Sequence, residues 1–147
     1  MKGTASIHFH VVIRNTREIV PLFRKLWKLS FSEDFQMSRA RRNIWDNTDP
    51  SRCGFPYRNL ENIRTAQQLI EEIVGFALNA QDLVEKVPFR KTKNLDFESF
   101  LYHITTIFTD VRLNLKGPSV ELRTLDSLPL AHFEQKWNKF VSLLENV

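Results

Sequence analysis

Three stretches of the chain repeat apolar residues with the period of an α-helix, and this repeat constrains the fold more than any other feature. An apolar residue recurs every three or four positions over residues 17–29, 97–111 and 129–144, which places the apolar side chains on one side of each stretch. Asp96 precedes the second stretch as a candidate N-cap, and Pro129 opens the third. These patterns predict amphipathic helices whose apolar sides pack together.

Two further helical patterns lie between these stretches. Ser30 and Glu33 have the spacing of a capping box, which predicts a second helix from about residue 31 to Trp45. Asn59 is a candidate cap for a third helix over residues 60–87. Apolar residues cover so much of that helix's circumference that we expect it in the middle of a bundle.

The N-terminal segment 6–13 follows a different pattern, because its apolar residues alternate with polar ones as they do in a β-strand. A candidate partner is the segment 112–125, which alternates on both sides of a turn at residues 116–119. The alternative is that residues 5–30 form one long helix kinked at Pro21. The sequence alone leaves both arrangements open.

Together the patterns predict a mainly α fold: a bundle of four or five helices, with or without a small β element made of residues 6–13 and 112–125. We expect one domain over residues 1–147, since this length is typical of a single domain. In its core, the aromatic side of the last helix (Phe133, Trp137 and Phe140) would be buried against the 60–87 helix at Ile70 and Val74.

The composition indicates an intracellular protein. Cys53 is the single cysteine, so no disulfide can form within one chain, and that favours a reducing compartment. No apolar run approaches the roughly 18 residues that a membrane span requires. We therefore expect a cytoplasmic protein without a membrane partner.

Positive charge is concentrated in residues 1–60, which hold 11 Lys and Arg against 5 Asp and Glu. Basic residues beside aromatic ones suit single-stranded nucleic acid, because phosphates pair with the cations and bases stack on the rings. The residues that would form this nucleic-acid-binding site are Arg39, Arg41, Arg42, Trp45, Arg52 and Tyr57. The alternative is a solvated basic face paired with acidic neighbours, with Trp45 in the core.

Candidate catalytic and metal-binding residues are few. His103 lies on a polar stripe with Asp96 and Asp110, but seven residues along a helix span about 10 Å, too far for a direct hydrogen bond. His8 and His10 would share one strand face, yet no spacing points to a third metal ligand. We therefore predict no catalytic residue, no metal and no cofactor.

The function that these residues favour is a non-enzymatic accessory or adaptor subunit that binds RNA, single-stranded DNA or a nucleoprotein, alone or as an oligomer. In size, helix content and charge the chain resembles the small helical subunits of CRISPR effector complexes, which implies a role in antiviral defence. The alternatives are a helical nuclease-like enzyme of a defence or toxin system, with His103 in its site, and a pure protein–protein interaction module.

Overall fold

The computed structural model describes residues 6–54, 60–114 and 117–145. The fold is mixed α/β, 52% helical and 18% strand, so the prediction of a mainly α helical bundle is wrong. The α-helices in the described residues are α1 (Ile19–Ser30), α2 (Arg39–Thr48), α3 (Ala66–Asn79), α4 (Phe97–Thr105) and α5 (Leu130–Leu144). The strands are β1 (Ser6–Val12), β2 (Cys53–Gly54), β3 (Phe108–Thr109), β4 (Val111–Asn114) and β5 (Ser119–Asp126).

The chain packs as two compact units. The first comprises residues 1–41 together with 110–147, and the second comprises residues 42–109. The chain passes from one unit to the other at two places, once inside α2 and once between β3 and β4. The expectation of a single domain stays a prediction. In the described residues no helix has both the length and the hydropathy to cross a membrane.

The first unit is built on an antiparallel sheet with strand order β1-β5-β4. Paired residues of neighbouring strands point to the same side of a sheet, so its register defines two faces. One face is apolar and supplies the core of this unit: Phe9, Val11, Val111, Leu113, Val120 and Leu122. Helix α1 lies against β4 and β5, and the Phe140 ring of α5 stacks on the Phe9 ring at a centroid distance of 4.4 Å.

The predicted burial of Trp137 is wrong, because its side chain is 44% exposed. Phe140 occupies the core instead, where it contacts Phe9 and Phe35. The predicted partner Ile70 is itself 39% exposed. The last helix therefore covers a sheet with its Phe140 side. An apolar helical repeat alone does not show whether a helix packs against a sheet or against other helices.

The second unit holds α3, α4 and the short parallel pair of β2 and β3. Ala77, Ala80 and Ile107 form its small buried cluster, against which Phe76, Phe100 and Ile104 pack. A capping box of Thr65 and Gln68 starts α3, so this helix begins six residues later than predicted from Asn59, which lies outside the described residues.

Candidate functional site

Two arginines of the predicted nucleic-acid-binding site are held inside the fold. The guanidinium of Arg41 donates to the carbonyl oxygens of Arg123 and Thr124 at 3.0 Å and to Asp126 at 2.8 Å. Arg52 donates from Nε and Nη2 to Asp49, and from Nη1 to the Thr106 hydroxyl. Both side chains are buried, so these guanidiniums stabilise the fold.

The other residues of that predicted site lie in different environments. Arg39 is exposed, and Arg42 lies 3.3 Å from Asp46, one turn along α2. Trp45 is half-buried, and its ring forms a T-shaped pair with the Phe108 ring at a centroid distance of 6.0 Å. Tyr57 lies outside the described residues. The nucleic-acid interface therefore stays a prediction, with Arg39 as an exposed cation in it.

His103, the candidate general base of the nuclease alternative, is buried in the second unit. Its Nε2 lies 2.9 Å from the carbonyl oxygen of Ala77, and its ring stacks on Phe89. Burial lowers the pKa of His103 below its ordinary value. Asp96 caps α4 through Ser99 instead of orienting the imidazole, so the polar stripe does not assemble a His–carboxylate pair between these two residues.

The polar face of the three-stranded sheet brings together ionisable side chains from all three strands. The register pairs His10 of β1 with Glu121 of β5, and Glu121 with Arg112 of β4. These three residues consequently form one row across the sheet, opposite the apolar face. His8 lies two residues before His10, beside a β-bulge that shifts the register between Ile7 and Phe9.

Glu121 is the centre of this row and is fully buried. Its Oε2 accepts from the Nε of Arg112 at 2.8 Å, and the Nη2 of the same guanidinium lies 2.8 Å away. Its Oε1 accepts from the Nδ2 of Asn114 at 2.9 Å and lies 3.4 Å from the Nδ1 of His10. The carboxylate is thereby held in one orientation, with Oε1 toward the imidazole.

His8 is placed beside this carboxylate as a neutral imidazole. Burial, with the positive charge of Arg123 second, lowers the pKa of His8 to about 4. The Nε2 of His8 lies 2.9 Å from the Ser6 hydroxyl. With its proton on Nε2, His8 donates to Ser6 and keeps a lone pair on Nδ1, the form in which an imidazole binds a metal.

The cluster holds two guanidiniums and two carboxylates, because the fully buried Asp110 acts on Arg123 in addition to Glu121. Burial lowers the pKa of Arg123 to about 10, with Arg112 the second cause, so Arg123 remains charged at neutral pH. Its Nε lies 4.0 Å from Glu121. The Arg112 side chain is 30% exposed, so its guanidinium is accessible to an anion, and phosphate is the type of anion that guanidinium groups recognise best.

The same cluster has the geometry of a metal site. One ligand atom each from His8, His10 and Glu121 lies within 4.8 Å of the others. Two ligands bound at about 2.1 Å in a tetrahedral site are separated by roughly 3.4 Å. The distance of 3.4 Å between His10 Nδ1 and Glu121 Oε1 agrees with that separation. Imidazole and carboxylate ligands suit Zn²⁺, Mn²⁺ or Fe²⁺.

Glu121 is the candidate site residue that the sequence alone does not identify. Alternation places His8 and His10 on one strand face, but Glu121, the candidate third ligand, lies on a strand more than 100 residues later. The sequence feature that could have identified Glu121 was the predicted pairing of segments 6–13 and 112–125. Only the register of that pairing places Glu121 opposite His10.

The chain was compared with family models, with curated proteins and with solved structures, and none of them matches it. The geometry of the described residues is therefore the basis for a functional conclusion.

Proposed function

We propose that the polar face of the sheet binds a divalent metal ion together with a phosphate-bearing ligand, and that the protein acts on or through that phosphate. The observation that carries the proposal is the convergence of His8, His10 and Glu121 within 4.8 Å, directly beside Arg112. A metal ion held there would polarise a phosphoryl oxygen, and the guanidiniums would stabilise negative charge on the others.

The charges of the cluster explain why metal and phosphate are proposed together. A bare cation among these ligands would meet two guanidiniums, which oppose it. A bare phosphate would meet the buried carboxylate of Glu121, which opposes an anion. A metal–phosphate complex satisfies both groups, because its cation faces Glu121 and the imidazoles while its oxygens face the partly exposed Arg112.

Solvent access to the site is compatible with such a ligand. The His10 side chain is 47% exposed and the Arg112 side chain 30% exposed, whereas Glu121 is buried. His10 and Arg112, which would contact the ligand first, are thus accessible to solvent, whereas the Glu121 carboxylate that orients them is not.

Calorimetric titration with manganese pyrophosphate tests the proposal. We expect the complex to bind at least about tenfold more tightly than Mn²⁺ alone or pyrophosphate alone, because only the complex satisfies both halves of the site. The His10→Ala variant should weaken binding of the complex by about tenfold or more. His132→Ala removes an exposed histidine of α5 and is the matched control, which should bind normally.

Equal binding of pyrophosphate with and without Mn²⁺ would refute the metal part of the proposal. Absence of binding by all three probes, with the fold intact by circular dichroism, would refute the whole of it.

A second candidate function, nucleic-acid binding, is favoured by the excess of 11 basic over 5 acidic residues in positions 1–60 and by the exposure of Arg39. For a single-stranded oligonucleotide, log K should fall against log[salt] by about 0.7 per phosphate contacted. Replacing Arg39 and Arg42 by Ala should reduce that slope by about one unit or more. Lys91→Ala, an exposed lysine outside this segment, serves as the control. An unchanged slope in the double variant would exclude these two residues from the interface.

A further inference from the structure

A cavity of about 660 Å³ lies in the second unit, in a part of the chain distinct from the sheet. Its wall is formed by the turn after α3, by the segment that leads to α4 and by one side of α4 itself. Leu83, Val84, Phe89 and Tyr102 supply apolar surface to the lining. The volume of this cavity is in the range of small-molecule sites, although most of its lining residues are polar or charged.

The charged groups that line the cavity are all acidic. They are Asp82, Glu85, Asp96 and Glu98. Basic residues occur in the same stretch of chain, at Lys86, Arg90, Lys91 and Lys93, but none of them lines the cavity. A cavity with negative walls attracts a cation and repels an anion.

His103 is an independent indication of the ligand's chemistry. It lines the cavity, is 2% exposed, and its Nε2 lies 2.9 Å from the carbonyl oxygen of Ala77. A carbonyl oxygen only accepts hydrogen bonds, so Nε2 carries the proton and Nδ1 keeps a lone pair. Within the described residues no group donates to Nδ1. Nδ1 is not one of the buried side-chain atoms without a partner. Because the residue lines the cavity, a ligand with N–H groups can donate to this acceptor.

The turn over residues 82–86 is preformed. The Oδ1 of Asp82 accepts from the backbone amides of Val84 and Glu85, each at 2.8 Å. Lys86 has a φ of 58°, a left-handed conformation that non-glycine residues seldom adopt. Such a conformation persists only where the surroundings enforce it, and it is often found beside a ligand site. It leaves Val84 85% exposed.

We propose that this cavity binds an aliphatic ammonium ion, an amine carried on an apolar carbon chain. The ammonium group would lie among the carboxylates and against the ring of Tyr102, which is 72% exposed and available for a cation–π contact. The carbon chain would lie on Phe89 and Val84. This binding is separate from the metal and phosphate proposed for the sheet, and neither proposal depends on the other.

The probe is hexamethylenediamine, titrated into the full chain and followed by the amide chemical shifts of residues 82–106. We expect saturable binding with shifts concentrated at this cavity. Hexanediol has the same carbon chain without the charge, and it should bind at least about tenfold more weakly. Adipate, which carries the opposite charge, should not bind.

Two substitutions at exposed lining residues separate the contributions. Tyr102→Leu should weaken diamine binding by about fivefold, because it removes the cation–π contact and keeps an apolar side chain. Glu98→Gln should weaken it by about threefold, because it removes one charge and keeps the size. Glu134→Gln, an exposed glutamate of α5, is the matched control and should bind like the original protein.

Three results would overturn the proposal. They are the absence of saturable binding up to about 10 mM diamine, equal binding of the diamine and the diol, and an equal loss of binding in Glu98→Gln and Glu134→Gln. The last result would indicate a general attraction to an acidic surface. Unchanged circular dichroism of each variant shows that the comparison is between folded proteins.

Discussion

Glu121 is the residue on which the proposed sheet site depends. A fully buried carboxylate is costly unless hydrogen bonds and opposite charges compensate for the lost water. Arg112 and Asn114 supply that compensation from the neighbouring strand, and they leave Oε1 toward His10. The network therefore has a structural role in every state of the protein, whether or not a ligand is present.

Substitution of Arg112 by Gln should destabilise the protein by about 2 to 3 kcal/mol, because it leaves Glu121 buried without its principal partner. Denaturant titration measures this loss. Arg39→Gln removes an exposed cation and should change stability by less than about 0.5 kcal/mol. Replacing both Arg112 and Glu121 by Leu should cost less than the single substitution, since the buried carboxylate is removed together with its partner and Asp110 remains as an opposite charge for Arg123. A double variant less stable than Arg112→Gln would show that the pair itself stabilises the fold.

Single residues of the site differed in how far the sequence could identify them. The alternation of residues 6–13 predicted that His8 and His10 share a strand face, because alternation is a local property. Glu121 and Arg112 join them only through strand register, which depends on pairing over a long separation. Arg41 appeared to be a surface cation because its acceptor Asp126 lies 85 residues away in the sequence. Arg52 is different, because its acceptor Asp49 lies three residues before it, but this spacing does not show that the pair is buried.

At the scale of elements, the sequence located helices better than it located their ends. The periodicity of 97–111 predicted one helix, but α4 ends at Thr105 and strands follow from Phe108. Over such a short distance, a period-2 alternation and a 3.6-residue repeat place apolar residues at many of the same positions. Periodicity alone therefore cannot distinguish a strand from a helix here. The signal for a strand was the run of β-branched residues Thr105, Thr106 and Ile107, because such residues favour strands. The prediction followed the helical repeat instead.

Helix α3 offers a test of how its end is stabilised. The Thr65 hydroxyl accepts from the backbone amide of Gln68 at 3.2 Å, and the Gln68 side chain accepts from the Thr65 amide at 3.2 Å. Thr65→Ala should cost about 1 kcal/mol of stability, because the backbone amide of Gln68 loses the hydroxyl that accepts its hydrogen bond. Thr65→Ser keeps the hydroxyl and should remain within a few tenths of a kcal/mol of the original protein. An equal loss in both variants would assign the effect to the methyl group.

Helix α5 offers a test of its orientation on the sheet. Phe140 is 2% exposed and Trp137 is 44% exposed. Phe140→Ala should therefore cost about 3 to 5 kcal/mol, whereas Trp137→Ala should cost clearly less although it removes the larger ring. Thermal or urea unfolding measures both. The reverse order would mean that α5 faces the sheet with its Trp137 side.

At the scale of the whole molecule, the central question is whether the two compact units unfold together. Boundaries between independent domains usually fall in exposed linkers. Here one boundary falls between Arg41 and Arg42 inside α2, and the other falls between Thr109 and Asp110 at adjoining strands. Unfolding of either unit would thus disrupt an element at its border with the other, which favours cooperative behaviour.

We therefore expect one unfolding transition for the entire chain. Trp27 and Trp137 belong to the first unit and Trp45 to the second, so the three tryptophans report on both units. Labelling with fluorotryptophan makes each ring visible by fluorine NMR within the same urea titration, and single Trp→Phe variants assign the resonances. The three midpoints should coincide, because a two-state transition has the same midpoint for every probe. A Trp45 midpoint that differs from the other two by more than about 0.5 M urea would instead establish two separately folding domains.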